Sequence, residues 1–590
     1  MSGTEKRRAV KLAVVVAALL TAPYLVAWGM TPPERAYLGH LWNPDEPNVY
    51  YSWMRQAADG RVLLQDLFTT EPQDGKFTNV FFLGLGWCAR LAGGAVVLVY
   101  AGARLFCCVF LFYSLYAFAA ALGASRTVRV GAVVLGATAS GLGWLAAKLG
   151  PAWPGVLGPV QCVDLGWVVR HGAAPSEGLM MPEANTMASA LLLPLFSFSM
   201  ALMLWSVVLL WDALRSGDLG SGAKAGLVGL VLGNVHTYDL IPLHLLAVAL
   251  LLCLTVLRRL RVRGLAAYAI FAALSAPGLL YQLWVFRADA VFRAKALTVT
   301  ASPSLMSYAV SFGLPLALAA AGAVFVVRRR EWQWLPAVCW LAVGLAVAFL
   351  PGLSFQRKMI EGVHLPMATL AAVAVARWLP ARRLGKSAER HRGRARTALV
   401  LAALLCAPSS ASFLFTRALS SVVENNLPRT ATVFMPPYSI TRDDLDCLKW
   451  IRSHAEPNAA VLCLPMLGSY VPGLTGHKVY VGHWAETLRF GTEKLPAAVA
   501  AIIGDDARRG RPALSACRYM VVGEYELWAR ASDGRPGPIP RYTGGFSLTP
   551  VHSSGDSVVL RIDAAPGLQG EPPAAANQDA RVRGTVTSGE

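Results

Sequence analysis

The chain has 590 residues, of which 55% are hydrophobic and only 15% charged, with 54 Lys and Arg against 35 Asp and Glu. So few charges cannot cover a soluble surface of this size, which excludes an ordinary soluble enzyme and points to a polytopic α-helical membrane protein. The net charge of +19 does not indicate a nucleic-acid partner, because the basic residues cluster in short loops between apolar runs.

Taken in chain order, Lys6, Arg7 and Arg8 precede an apolar run from Val10 to Met30. That run is long for a signal peptide and no small-residue cleavage site follows, so it reads as a retained first span. A long polar loop follows at 31–77, rich in acids, proline and aromatics. Apolar stretches then run at 78–93, 96–122 and 130–149, followed by a second long polar loop at 150–187. Further spans are expected at 188–211, 224–235 with 240–257, 265–285, 305–327, 334–351, 361–379 and 397–416. Arg258, Arg259, Arg261 and Arg263, then Arg328 to Arg330, then the basic loop from Arg382 to Arg396, mark the cytoplasmic connections. With the N-terminus inside and the long loops outside, this rule asks for an odd number of spans, about 11 or 13, with one piece of 78–122 re-entrant or interfacial.

After Arg417 the composition turns ordinary, and 417–563 reads as a small extracytoplasmic α/β domain. Asp443–His454 carries Leu445, Leu448 and Ile451 on one helical face, and strands are expected at Ala460–Leu464, Lys478–Val481, Arg518–Val522 and Ser557–Ile562. The tail 564–590 is rich in Gly, Pro, Ala and Gln and is expected to be disordered. The ten cysteines form no CxxC and suggest neither a zinc site nor a disulfide framework.

Five motifs break the apolar pattern. In Asn43-Pro44-Asp45-Glu46-Pro47, proline favours a helix start, with Glu46 as its N-cap and Asp59-Gly60 as its stop. Val49, Trp53 and Ala57 would share a face against the membrane surface. Asp45 and Glu46 then stand at the membrane boundary, where plain capping would use the same residues. In the segment 355–366, a helix would put Arg357, Glu361 and His364 on one face with Lys358 at its border. Ionisable groups at membrane depth are costly and face a cavity or one another, and two cations there suit a lipid phosphate; an interfacial anchoring pair is the simpler alternative. His236 and Asp239 interrupt the hydrophobic hairpin 224–257, as a site or as a tight turn. Glu183 ends the second loop, where it can orient a ligand or cap the next span. Last, His483-Trp484-Ala485-Glu486 lies at a strand end, with residue types that suit a sugar. No Walker loop, dinucleotide fingerprint, nucleophile elbow or HExxH is present.

With its acidic pair Asp45-Glu46 in a long first loop, its many spans and its terminal soluble domain, the chain resembles the GT-C glycosyltransferases. These include protein mannosyltransferases, aminoarabinose transferases and oligosaccharyltransferases. The resemblance covers the architecture of 10–560 and is specific at Asp45-Glu46 and, loosely, at 355–364. It implies a multi-pass enzyme of the cytoplasmic membrane, with a polyprenyl-phosphate-sugar donor and an extracytoplasmic glycan, lipid or protein acceptor. Asp45 would be the base and Glu46 its assistant. Arg357 and Lys358 would hold the lipid phosphate, with Glu361, His364, His236, Asp239 and Glu183 around the substrate. Some members use a divalent metal and others none; no ligand cluster stands out in this sequence, so the metal stays open. A transporter or flippase of lipid-linked glycans, or a non-catalytic protein of envelope assembly, is the alternative.

Overall fold

A computed structural model describes residues 1–149, 182–297, 299–378, 388–415, 436–504, 506–536, 542–543 and 545–564. The expected loop 150–187 lies outside the described residues except for its last six positions, and the tail after Ala564 lies outside them too.

Helix α1 (Gly3–Gly29) begins with a capping box in which Ser2 and Glu5 satisfy each other's backbone N–H groups. Among the described residues, eight helices are long and apolar enough to cross a membrane, and a pair bent by 57°, Gly393–Cys406 with Pro408–Phe415, forms a ninth if taken as one span. Three shorter apolar helices, Val80–Leu91, Leu219–Val235 and Trp332–Val347, separate this number from the 11 or 13 runs expected. At 1.5 Å per residue they fall short of the roughly 30 Å of hydrocarbon. Val80–Leu91 is the front half of the 78–122 stretch. The fold is therefore a polytopic helical membrane protein with a small sheet-containing region at its C-terminal end.

Strand β1 (Arg35–Tyr37) precedes helix α2 (Asp45–Ala58) in the first loop. Helix α2 starts at Asp45, two residues earlier than expected, with Pro44 and not Glu46 at the cap and both acids in the first turn, where the helix dipole favours negative charge. It ends at Asp59, before Gly60 at φ +97°. It does not lie on a membrane surface. Twelve of its fourteen residues are buried, which requires partners on opposite faces. On one side Tyr50 stacks on Phe82 at 4.6 Å and Trp53 packs against Phe77 and Phe82; on the other Tyr51 and His40 stack at 5.3 Å, with His40 6.0 Å from Tyr470 of the C-terminal region.

That region starts at β2 (Ser439–Thr441), which pairs antiparallel with β1, so the first loop and the C-terminal region share a ladder. Three-residue strands have no readable period, and the sequence does not announce this pairing. A six-stranded sheet follows, built from β3 (Ala460–Leu462), β4 (Lys478–Val479), β5 (Tyr519–Val522), β6 (Tyr542–Thr543), β7 (Phe546–Ser554) and β8 (Ser557–Ala564), in the order β4-β3-β5-β8-β7-β6. The β4-β3-β5 part is parallel and the rest antiparallel. Strand β7 is not among the expected strands. The helix Arg442–His454 is capped by Thr441, whose hydroxyl accepts from the Asp444 N–H at 3.0 Å, and buries Leu448 and Ile451.

Arg35 is the clasp of the shared ladder. Its guanidinium donates to Ser439 Oγ at 2.9 Å, to the Ser439 carbonyl at 2.9 Å and to both Glu524 oxygens at 3.0 Å, and the side chain is 8% exposed. Charge-assisted contacts of this kind contribute about 1.5–3 kcal/mol. Arg35→Ala should lower the thermal midpoint of the detergent-solubilised protein and speed proteolytic release of the C-terminal region. Arg35→Lys should rescue little, because it loses the planar fork.

Candidate functional site

The hairpin between Leu219–Val235 and Leu240–Val256 closes through a single 3-10 turn, Thr237–Asp239. Asn234 anchors it by accepting from Val80 N at 2.7 Å. The i,i+3 spacing then brings His236 Nδ1 to 3.1 Å from Asp239 Oδ2. Glu361 comes from a distant part of the chain. The segment expected as one helix is instead a 3-10 turn, Gln356–Ile360, followed by a break at Glu361 (ψ 136°) before the helix His364–Val373. Gly362 makes the break at φ +77°, and a Cβ there would stand 3.1 Å from Trp340 Cζ2. Released from the helix, Glu361 reaches His236 Nδ1 at 3.3 Å through Oε2 and accepts from Ser199 Oγ at 2.5 Å through Oε1.

His364 does not join this group. The break turns it toward Thr186, with Nδ1 3.0 Å from the Thr186 hydroxyl. The expected shared face of Arg357, Glu361 and His364 is thus absent, because it required an unbroken helix.

Lys358 places its ammonium 4.8 Å from the centre of the Tyr238 ring and lies in electrostatic range of Glu46 and Glu183. Arg357 is half-buried, and its Nε has no hydrogen-bond partner. Glu183 is 6% exposed and its Oε2 is likewise without a partner. The cap of the following helix, Thr186–Leu192, is Asn185, which accepts from Ala188 N at 3.1 Å, so Glu183 is spared for another role.

The two first-loop acids face different ways. Glu46 accepts from Tyr50 Oη at 2.8 Å and interacts with Lys358, Glu183 and His236. Burial pushes its carboxyl above the ordinary range, against the pull of Lys358. Asp45 stands beside Trp484 of the C-terminal region; burial and the neighbouring Glu46 raise its carboxyl well above the usual range. Lys358 therefore meets Glu46, and Asp45 meets Trp484 of the C-terminal region.

A second charged group was not legible in the sequence. Lys295, just past the helix Val262–Ala288, pairs with Glu486 and lies 3.4 Å from Asp66. Burial lifts the Asp66 carboxyl to about 7, against the pull of Lys295. Burial works to raise Glu486 too, but Lys295 and His483 overcome it and hold that carboxyl below its usual range. Of the terminal motif expected to touch a sugar, Glu486 is thus engaged in a three-segment ion cluster. His236 and Asp239 gave a local signal in their spacing, and Glu486 stood out within its motif; Asp66 and Lys295 gave none.

His236, Asp239 and Glu361 offer ligand atoms that all lie within 4.8 Å of one another, and all three residues are at least nine-tenths buried. His236 Nδ1 stands in ion-pair range of Asp239 Oδ2 and Glu361 Oε2, and Asp239 Oδ1 has no partner. Two buried carboxylates facing one imidazole are costly, and a divalent cation at their common point would take the place of the imidazole proton and neutralise both. One imidazole with two carboxylates suits Mn²⁺ or Zn²⁺. A candidate ligand set for the metal that the sequence left open thus comes from two segments.

No family model and no curated protein matches the chain. Solved structures do. Archaeal oligosaccharyltransferase AglB from Archaeoglobus fulgidus, in complex with an inhibitory peptide and a dolichol-phosphate, is 13% identical over 88% of this chain and 70% of its own, with a TM-score of 0.44. The apo form of the Archaeoglobus fulgidus oligosaccharyltransferase gives 13%, 96%, 76% and 0.45. Arabinosyltransferase EmbB from Mycobacterium smegmatis is 14% identical over 72% of this chain and 41% of its own, at 0.35.

Purified protein should bind one Mn²⁺ per chain, read by electron paramagnetic resonance. Asp239→Asn or Glu361→Gln should weaken binding by at least about 10-fold, the smallest loss usual for a disturbed metal shell. Unchanged binding in both variants would remove the cation from this trio.

Proposed function

We propose that the chain is a membrane glycosyltransferase that moves a sugar from a polyprenyl-phosphate donor to an acceptor, on the face of the membrane that carries residues 438–563. The observation that supports this best is the meeting of Glu46 with Lys358 and Glu183 beside the ends of apolar helices. Transfer from a lipid phosphate needs a base for the acceptor proton and positive charge for the departing phosphate, and Glu46 and Lys358 together would supply the two.

In this reading the acceptor heteroatom loses its proton to the Glu46 carboxylate and bonds to the anomeric carbon. The bond from that carbon to the phosphate oxygen breaks, and the electron pair leaves with the lipid phosphate, whose charge Arg357 and Lys358 meet. Such placed charge stabilises the transition state more than the ground state. Asp45, held beside Trp484, positions the acceptor, and Glu183 orients sugar hydroxyls. A divalent cation held by His236, Asp239 and Glu361 would add positive charge for the phosphate. His364 supports the fold through Thr186 and takes no part.

Transfer from a labelled donor should fall about 10²–10⁴-fold in Glu46→Gln, the range for loss of a general base. Asp45→Asn should cost less. Arg357→Ala and Lys358→Ala should each cost about 10- to 100-fold, with Arg357→Lys milder than Arg357→Ala. Wild-type turnover in Glu46→Gln would dismiss it as the base.

The pH profile follows from the raised Glu46 carboxyl. A base must be ionised to act, so transfer is full above that raised pKa and is lost as pH falls through it. The acid limb should therefore lie above the ordinary glutamate range, and Lys358→Ala, by removing the cation that opposes the shift, should move it higher still. A limb that stays in place in Lys358→Ala would show that another group sets it.

A further inference from the structure

The helix Leu240–Val256 has the His236–Asp239 turn at its start and Arg258 just past its end, so its 17 residues, about 25 Å, separate the acidic site from a basic one. At that far end lies a cavity of about 1090 Å³ walled by Arg215, Arg258, Arg259, Arg261 and Arg330, with Trp211 and Trp332. The rest of its described lining is three leucines and a glutamine, with no carboxylate. Arg261 donates to the Ser216 carbonyl at 3.0 Å and Arg215 pairs with Asp212 at 3.4 Å. Among the described residues, the side chains of Arg258, Arg259 and Arg330 have neither ion pair nor hydrogen bond.

The backbone adds an independent observation. Arg258 and Arg330 both hold φ +56°, the left-handed conformation. Each follows the end of an apolar helix, and the next residue closes the turn: Arg259 N donates to the Leu254 carbonyl at 2.7 Å and Glu331 N to the Val326 carbonyl at 3.0 Å. Glycine fits this position with least strain. Arginine stands there twice, on two helices that meet at one cavity. Strained backbone of this sort collects where a side chain has work to do.

We propose that this cavity binds the headgroup of an anionic phospholipid from the leaflet opposite the acidic site, one that carries two phosphates. Three uncommitted guanidiniums exceed what a single monoanionic phosphate can neutralise, and their planar forks suit phosphate oxygens. The two tryptophans are of the type that sits at headgroup level, and the leucines suit the glycerol and the first methylenes of a lipid rather than a soluble anion. The proposal does not rest on the glycosyltransferase reading.

The test uses the purified full chain, with binding of cardiolipin, phosphatidylglycerol and soluble pyrophosphate followed by native mass spectrometry and thermal-shift titration. One cardiolipin per chain should be retained, more tightly than phosphatidylglycerol, and pyrophosphate should not displace it. Arg258→Gln with Arg259→Gln and Arg330→Gln should weaken cardiolipin binding by about 10-fold or more per arginine removed. The double change Arg258→Gly with Arg330→Gly separates binding from folding. It relieves the backbone, so the lipid-free midpoint should hold or rise while cardiolipin affinity falls about 100-fold or more. Unchanged affinity in either variant overturns the proposal, and displacement by pyrophosphate at comparable affinity overturns the lipid as the ligand.

Discussion

Lys295 joins three parts of the chain that no local pattern connects. Its ammonium lies between Asp66 of the first loop and Glu486 of the C-terminal domain, while its own segment continues the helix Val262–Ala288. Two carboxylates and one ammonium are taken out of water together, and removing Lys295 leaves two buried carboxylates facing each other without a cation, which costs far more than losing an exposed pair. Two residues from Glu486 stands Trp484, beside Asp45. The ion cluster thereby sets where the C-terminal domain meets helix α2, and with it the direction in which the two first-loop acids face.

The acidic pair is held by packing as well as charge. Helix α2 is buried between the aromatic residues of the membrane bundle and Tyr470 of the C-terminal region, and β1 and β2 pair alongside it. An amphipathic helix on a membrane could slide and tilt; one gripped on both faces keeps its carboxylates in place. Such rigidity is what a positioned base requires.

The apolar runs, the change of composition after Arg417 and most strands of the C-terminal sheet were legible, because hydrophobic length and period report them directly. The start and stop of α2 were legible from Pro44, the acids and Gly60, but not its burial, since nothing in Val49, Trp53 and Ala57 tells a lipid surface from a protein partner. The segment 355–364 reads as helical by spacing, yet Gly362 in the left-handed region breaks it, sending Glu361 toward His236 and His364 toward Thr186. His236 and Asp239 are neighbours by i,i+3 spacing, whereas Glu361 reaches them only through the packing of distant segments. The β1-β2 ladder and the Lys295 cluster are likewise products of tertiary structure, on elements too short or too far apart for a local signal.

Sugar transfer and sugar-lipid translocation differ in one bond, and a mass balance reads that bond directly. The measurement is made in proteoliposomes holding the full chain, a polyprenyl-phosphate donor labelled in both sugar and lipid phosphate, and a panel of candidate acceptors. The account predicts one freed lipid phosphate for every sugar that appears on an acceptor, in a reaction that Glu46→Gln stops. Intact donor crossing the bilayer, with its sugar still bound to the phosphate and no acceptor glycosylated, would contradict it.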